Sequence, residues 1–497
     1  MTETSMTEAS MNRAGAPASR SSGTAAPFAA LLVAVLSFSL MQTMVVPALP
    51  DLQREFDASP TAVSWVLSSF LLTASVATAL LGRVGDLFGK RRVLIASLGV
   101  FAVGTLLAAL SGSLALLIAA RAVQGVGSAA FPLAFGIVRD AFPRERVPVA
   151  IGLISATFGI GFGVGLVVPG PIVAALDWRW IFWSGLVVIL LGIAAVTAFV
   201  RESAVTSPGR IDWTGAALLG AGVVTLLLAI GQGTPWGWTS GPVVGLFVAA
   251  AVLLMVFVYA GKRTDDPLID LGLLLRPAVL TSHVTAFIIG FGMYGAFTLV
   301  PLLARTPPAA GYGFGASVTG AGLFLLPMAV TMLIAGPLAG RIGAAVGWKP
   351  PLVLACLIGV AGFAVYAGAH DSEGAVYAGS AVLGIGVGFA FAALANLVVG
   401  AVDPGRTGEA TGVNTVMRTI GGSLGAQIAA SLVASRTVPG TRFPAESGYT
   451  AAFVMSAVAL GVAALAALAG PVGLRNRPPA PEPAPGRSAA QECTERA

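Results

Sequence analysis

Charged side chains are scarce in this sequence. Asp, Glu, Lys and Arg supply 10% of its 497 residues, whereas soluble domains carry about 25%. Hydrophobic residues supply 56%. One aqueous core cannot bury that much apolar surface, so the bilayer is the expected solvent. The composition therefore excludes an ordinary soluble domain.

Cysteine and histidine are nearly absent as well. Cys356 lies inside an apolar run and Cys493 in the C-terminal tail, while His283 and His370 are far apart in the sequence. Such a set supplies no disulfide framework and no metal cluster. The sequence also lacks the zinc-protease and phosphate-loop motifs. It therefore predicts neither an enzyme nor a bound cofactor.

Long apolar runs are what the chain has in abundance. Fourteen of them are near or above the roughly 20 residues that a bilayer requires. The first is too long for the core of a signal peptide and is predicted to be an uncleaved span. The runs lie near residues 27–49, 61–81, 92–111, 113–136, 147–174, 180–200, 212–231, 241–261, 279–303, 317–340, 351–369, 374–402, 409–434 and 449–470.

Basic residues are distributed unevenly among the connections between these runs. With the N-terminus inside, 21 of the 28 basic residues fall in inner loops and tails, and five fall in outer loops. Because positive loops stay inside, both termini are predicted to be cytoplasmic. Very few of the 28 are lysines, as in GC-rich bacterial genomes. The prediction is a multi-pass, monomeric protein of the bacterial inner membrane that binds no nucleic acid.

A short charged stretch occurs twice. Residues 82–92 lie between the second and third runs, and residues 340–349 repeat their glycine and arginine pattern 258 positions later (340 − 82). The second copy has Ala344 where the first has Asp86. Glycines of the fourth and fifth runs match those of the twelfth and thirteenth at similar offsets. Such duplication predicts two related six-helix halves.

The domain boundaries follow from this repeat. The halves are predicted at 27–200 and 277–470, with an inserted two-helix hairpin and its cytoplasmic linkers at 201–276. The polar tails, 1–26 and 471–497, are predicted to be disordered.

Several of these stretches resemble the major facilitator superfamily, in particular its fourteen-helix drug:proton antiporter branch. The resemblance covers roughly residues 27–470 and implies an all-α membrane protein with the major facilitator fold, two six-helix halves and a two-helix insertion. It rests on the order and spacing of residues 82–92, 121–127, 177–182, 210–215 and 418–425.

The chain departs from that branch at two places. The branch often carries an acidic residue in helix 1, where this chain has Met41. The helix-5 signature, a Gly-Pro followed by two glycines, is degraded at residues 165–170. No Asp or Glu lies deep in a predicted span, so proton coupling has to use some other group.

Residues 82–92 are predicted to form a loop that acts as a conformational switch. A carboxylate such as that of Asp86 is stabilised at the positive N-terminal end of a helix from the other half. The family resemblance implies that this helix is the thirteenth span, near residues 407–409, and that the contact favours the outward-open state. The alternative is an ordinary positive loop with glycine turns. The second copy keeps the glycines with Ala344, so turns alone do not require Asp86. The switch residues are Gly82, Arg83, Asp86, Gly89, Lys90 and Arg91.

Two arginines, Arg121 and Arg418, lie inside predicted spans. Each costs roughly 3 kcal/mol or more in lipid, so both are expected to face the bundle interior. Gln124 and Asn414 lie three and four residues away on the same helix faces and would extend a polar path. Snorkelling to an interface is the alternative and is stronger for Arg418.

The proton carrier has three candidates. A rim carboxylate, Asp51, could be drawn toward the cavity, with Arg121 lowering its pKa. His283 could titrate near neutral pH. The protein could also exchange its substrate without protons. The first is the preferred hypothesis.

The substrate cavity is predicted between the first and ninth spans, which line the central cavity in the family. Methionine and aromatic side chains adapt to varied apolar ligands. Helix packing is an equally good explanation for each of them except Gln42, whose polar side chain should face inward. The predicted lining is Met41, Gln42, Met44, Met293, Tyr294 and Phe297.

The sequence thus predicts a secondary transporter. It would export small amphipathic compounds, such as drugs or antibiotics, by alternating access coupled to protons. A facilitator or uptake permease for a small metabolite, and a membrane sensor or scaffold that transports nothing, stay open as alternatives.

Overall fold

The computed structural model describes residues 24–207, 209–438 and 443–469, and these form fourteen long helices with short connections. Most of the tail expected at 1–26 and all of the tail expected at 471–497 lie outside the described residues. In chain order the helices are α1 (Ala25–Glu55), α2 (Pro60–Phe88), α3 (Lys90–Ala109), α4 (Leu114–Ala141), α5 (Val147–Ala175), α6 (Arg179–Phe199), α7 (Trp213–Trp236), α8 (Gly241–Gly261), α9 (Pro277–Arg305), α10 (Val318–Val346), α11 (Lys349–Ala369), α12 (Glu373–Ala401), α13 (Thr407–Ala434) and α14 (Glu446–Ala469).

Helix α13 differs from the others in composition. The other thirteen are long and apolar enough to cross a membrane, whereas α13 is long enough at 28 residues but carries Glu409, Asn414 and Arg418. It packs in the interior against α2 and α9. Because its neighbours are protein rather than lipid, its polar side chains find partners there.

The turn between α2 and α3 is shorter than the predicted loop. Residues 82–88 belong to α2 and residues 90–92 to α3, so Gly89 alone separates the two helices. Its φ of 105° is a conformation that favours glycine. Gly347, at the equivalent place after α10, has a φ of 88°. The prediction of a loop at residues 82–92 was therefore wrong. The helices continue through these residues because their charged side chains have protein partners.

The two halves meet along two seams, α2 with α13 and α5 with α10. A β-carbon added to Gly82 would lie 2.3 Å from the carbonyl oxygen of Gly408, and one added to Gly152 would lie 2.3 Å from that of Gly336. Backbones this close require residues without side chains. Two of the glycine pairs that repeat in the sequence, Gly82 with Gly340 and Gly152 with Gly412, therefore lie where the halves touch.

The two additional helices, α7 and α8, lie outside the α2–α13 seam. Val223 and Leu227 of α7 pack with Ala79 of α2 and with Val416 and Ile420 of α13. Helix α8 packs on α7 and leaves most of its side chains exposed. Helix α7 thus covers the α2–α13 seam, and helix α8 covers α7.

Candidate functional site

Asp86 lies at the end of the bundle where α2 approaches the start of α13. Its side chain is fully buried, and its Oδ2 accepts a hydrogen bond of 3.0 Å from the backbone N–H of Glu409. The glycine contact between Gly82 and Gly408 makes this approach possible. The first turn of a helix presents unpaired N–H groups and a positive dipole end, so a carboxylate there is stabilised.

Lys90 is the counter-ion of Asp86. Its Nζ lies 3.5 Å from Asp86 Oδ1 and 2.8 Å from Asp140 Oδ2, and all three side chains are nearly or fully buried. Next to them, Arg139 donates hydrogen bonds of 2.7 Å to the Thr407 hydroxyl and 2.6 Å to the Val402 carbonyl. One half of the molecule is thereby bonded to the other.

Glu409 completes the group from the side of α13. Its Oε2 lies 3.6 Å from the guanidinium of Arg83, and its Oε1 accepts 2.8 Å from the N–H of Asp270. We call Arg83, Asp86, Lys90, Arg139, Asp140 and Glu409 the polar cluster. It closes this end of the bundle.

The linkers on either side of the α7–α8 hairpin also reach the polar cluster. The Ser207 N–H donates 2.8 Å to the Asp86 carbonyl, and its hydroxyl donates to the Gly405 carbonyl. Asp270 pairs with Arg406. Burial disfavours the charge of Asp270, but hydrogen bonds, above all from Arg406, outweigh burial and hold its pKa below the usual range. The linkers therefore tie the hairpin to this end.

Arg91 does not join the polar cluster. Its guanidinium donates 2.8 Å to the Thr197 carbonyl of α6, and its backbone N–H donates 3.0 Å to Glu202. Grouping it with the switch is corrected by this placement: successive helix residues are about 100° apart, so Lys90 and Arg91 cannot share a direction.

A cavity of about 390 Å³ lies between the halves. It begins at Thr78 of α2 and Thr415 of α13. At 1.5 Å per helical residue, Thr78 lies roughly 12 Å from Asp86 along α2, and Thr415 lies roughly 9 Å from Glu409 along α13. From there it extends toward the opposite end of the bundle. Helix α7 closes one side with Leu227, Leu228 and Gln232. A mostly apolar cavity with a few polar groups is the usual form of a small-molecule site.

Three of the six predicted lining residues face this cavity: Gln42, Tyr294 and Phe297. The ring centroids of Phe297 and Phe162 are 4.0 Å apart, and those of Phe297 and Tyr294 are 5.6 Å apart. These rings form an aromatic wall made by α5 and α9, one helix from each half.

The three methionines of the predicted lining lie elsewhere, which corrects that prediction. Met41 is fully buried and packs on Gly185 of α6. Met293 is also fully buried and lies near Gly359 of α11. Met44 is buried outside the cavity lining. A span that is apolar on all sides gives no sign of which face turns inward, so the sequence could not separate these residues from Gln42.

Arg418 lies on the cavity wall. Its guanidinium stacks on Phe391 at 4.0 Å and lies near the Tyr294 hydroxyl. Asn414, one turn earlier, instead lies 3.2 Å from His283 Nδ1 and donates to the Ser282 carbonyl. The pair diverges, so the predicted polar path between them does not form.

Arg121 and Gln124 lie inside the N-terminal half rather than on the cavity wall. Arg121 is fully buried. It donates 3.1 Å to the carbonyls of Val66 and Met41 and 2.7 Å to Gln124 Oε1. These bonds hold α1, α2 and α4 together. Asp51 pairs with Arg54 instead. The structure therefore does not bring Asp51 and Arg121 together, contrary to the hypothesis that they act as a pair.

The sequence analysis missed Arg139, Asp140 and the two linkers. Asp140 and Lys90 are 50 positions apart, and no motif connects them. The one available signal was the small number of acidic residues, because a membrane protein with so few seldom places an acidic side chain such as Asp140 at the end of a span without a partner.

The known proteins that this chain resembles include transporters. The sequence profile of the Major Facilitator Superfamily matches residues 31–426. An MFS-type transporter of Mycobacterium tuberculosis is 35% identical over 322 residues, which cover 64% of this chain and 46% of the relative. This chain thus matches about half the length of that protein.

Two further relatives carry names that describe a function. The multidrug resistance protein Stp of Mycobacterium tuberculosis is 29% identical over 369 residues, which cover 74% of this chain and 68% of Stp. The tetracenomycin C resistance and export protein of Streptomyces glaucescens is 27% identical over 334 residues, which cover 66% and 60%.

Among solved structures, the human organic anion transporter MFSD10 (TETRAN) superposes with a TM-score of 0.66. The superposition has 17% sequence identity and covers 89% of this chain and 99% of that one. At this identity the likeness concerns the fold.

Proposed function

Because this chain belongs to the major facilitator superfamily, we propose that it exports small, largely apolar compounds from a bacterial cell by alternating access. The single observation that carries this proposal is the aromatic cavity between the halves, closed at one end by the polar cluster. The names of its relatives, multidrug resistance protein and tetracenomycin C export protein, support export. The cavity is complete within one chain, which supports action as a monomer.

The direction of closure follows from the charge distribution. With 21 of the 28 basic residues on one side, both termini and the polar cluster face the cytoplasm in this proposal. The structure then corresponds to an outward-facing state. The halves are α1–α6 and α9–α14, and α7 and α8 form the insertion.

Proton coupling, in this proposal, belongs to the polar cluster. Asp86, Asp140 and Glu409 are buried carboxylates, whereas the cavity lining has no carboxylate among the described residues. Protonation of Asp86 would remove the charge that the start of α13 and Lys90 stabilise. The contacts that close the cytoplasmic end would then weaken.

The test is transport in inverted membrane vesicles, which bring the cytoplasmic face outward. A growth-inhibition screen in an efflux-deficient bacterium first identifies compounds to which the protein confers resistance. Vesicles should then accumulate those compounds when a proton gradient is imposed and lose them when an ionophore collapses it. Transport that only follows an imposed substrate gradient, at a rate unaffected by the ionophore, would replace antiport with facilitation. A protein that moves none of the compounds would support the sensor or scaffold alternative.

A further inference from the structure

The cavity wall carries a positive charge that no acidic side chain of the described lining balances. Among the described residues that line it, Arg418 is the only one with a charged side chain. The other lining residues are apolar, aromatic, or neutral and polar. A cation in a membrane-embedded cavity without an anion nearby is costly, and such residues commonly meet a ligand.

Arg121 provides an internal comparison for Arg418. Both are arginines in the middle of a helix bundle, and both stack on a phenylalanine ring at about 4 Å. Arg121, however, donates to two backbone carbonyls and to Gln124. Arg418 makes no comparable hydrogen bond among the described residues: its guanidinium lies near the Tyr294 hydroxyl, and its Nε is buried without an acceptor. Each arginine keeps one buried donor without an acceptor among the described residues, Nη2 of Arg121 and Nε of Arg418. Arg418, however, lacks the backbone bonds that hold Arg121, and it lines the cavity where Arg121 does not.

The second unused group is on α7. Gln232 is 9% exposed and lines the cavity. Its Oε1 has no hydrogen-bond donor among the described residues. By contrast, Oε1 of Gln427, another glutamine of the wall, accepts from Thr234. A buried amide oxygen without a donor is destabilising unless a ligand or water supplies one.

We propose that the cavity selects aromatic compounds that carry one anionic group, a carboxylate or a phenolate, and a separate hydroxyl or N–H donor. The anion pairs with Arg418, whose planar guanidinium matches a carboxylate. The donor bonds to Gln232, and the ring system packs on Phe297 and Phe162. This proposal rests on the proposed export function and gives the inserted helix α7 a direct part in substrate choice.

Cationic compounds are disfavoured by the same arrangement. A positive group in the cavity would meet Arg418 and no carboxylate of the wall. Like charges at close range in a low dielectric repel strongly. The order of affinity for otherwise equal ring systems is therefore anion, neutral compound, cation.

Four naphthalene derivatives test this order: naphthoate, naphthylmethanol, naphthylmethylammonium and hydroxynaphthoate. Binding is measured by calorimetry on the full chain in lipid nanodiscs. Naphthoate should bind about tenfold or more tightly than naphthylmethanol, and the ammonium compound should bind most weakly. Arg418→Gln should lower the affinity for naphthoate to that for naphthylmethanol, and the matched control Arg263→Gln should not.

The role of Gln232 is tested by comparing hydroxynaphthoate with naphthoate, which lacks the added hydroxyl. Hydroxynaphthoate should bind about fivefold more tightly than naphthoate in the unmodified protein. Gln232→Leu should remove that difference, whereas Gln53→Leu, outside the cavity, should keep it. If Gln232→Leu leaves the hydroxyl advantage intact, the assignment of Gln232 is wrong.

The same compounds in inverted vesicles separate the two proposals. Equal accumulation and equal binding of all compounds would overturn anion selection and leave export standing. Tightest binding of the ammonium compound would overturn it as well. Equal loss of naphthoate and naphthylmethanol binding in Arg418→Gln would mean that Arg418 only supports the fold. Because the ranking in the unmodified protein requires no variant, a poorly folded variant does not remove the test.

Discussion

Neutralising Asp86 should open the cytoplasmic end of the bundle. Asp86→Asn keeps the side-chain oxygen that accepts from the Glu409 N–H, but removes its charge. The lost interaction with the start of α13 contributes about 1–2 kcal/mol in a buried setting. Lys90 retains Asp140 at 2.8 Å, so that cation is not left alone. A change of this size alters the ratio of closed to open molecules about 5- to 30-fold.

Removing Lys90 should have a larger effect than neutralising Asp86. Lys90→Met would leave Asp86 and Asp140 facing each other without their shared cation. Breaking a buried ion pair by removing one partner costs about 3–5 kcal/mol. The expected order of opening is therefore Lys90→Met, then Asp86→Asn, then the unmodified protein.

A single cysteine at Thr78, at the end of the cavity nearest the polar cluster, reports this opening. Inverted vesicles expose it to a maleimide from the cytoplasmic side, and the labelling rate follows the open fraction. Asp86→Asn should raise that rate about fivefold or more. The matched control Asp177→Asn, whose partner Arg179 lies at the other end, should not. An unchanged rate in Asp86→Asn, or a smaller effect in Lys90→Met, would refute this account of closure.

Three further predictions follow from the seam, the N-terminal half and the topology. Gly408→Ala would place a β-carbon 2.2 Å from the Gly82 carbonyl oxygen, so it should block closure and raise cytoplasmic labelling, whereas Gly99→Ala, with open space around it, should not. Arg121→Leu should lower the melting temperature by the equivalent of about 2 kcal/mol or more, with transport per folded molecule reduced less than the amount of folded protein; a large loss of transport at normal stability would contradict this. In a background without native cysteines, a cysteine at position 240 should be labelled from outside the cell and one at position 203 should not, and the reverse would overturn the proposed orientation.

The fold and one contact of the site were predictable because they leave a periodic or repeated trace. Apolar runs of span length are visible in any window, and the duplicated glycines indicated the halves. Two of the duplicated pairs, Gly82 with Gly340 and Gly152 with Gly412, lie on the seams. The approach of Asp86 to the start of α13 was implied by the family resemblance, and Ala344 in the second copy indicated that the turn alone does not require the carboxylate. That residue difference separates a charge with a partner from a glycine turn.

The cavity residues were harder to predict for a physical reason. Hydrophobic periodicity marks the inward face of a helix in water, but a span buried among lipids and other helices is apolar on every side. Met41 and Gln42 are neighbours in sequence, yet one packs on α6 and the other lines the cavity. Arg121 was also expected to face a path, whereas it donates to backbone carbonyls and to Gln124 inside one half.

The two seams, built from the same repeat, have become mechanically different. The α5–α10 seam is held by close glycine contacts such as Gly152 with Gly336, and no ion pair between described residues joins these two helices. The α2–α13 seam has similar glycines and the polar cluster in addition. The α5–α10 seam can therefore act as the axis about which the halves rotate, while the polar cluster holds the α2–α13 seam closed. In the proposed mechanism, protonation of the polar cluster therefore has to release one seam only, whereas a molecule with polar clusters on both seams would have to release both together.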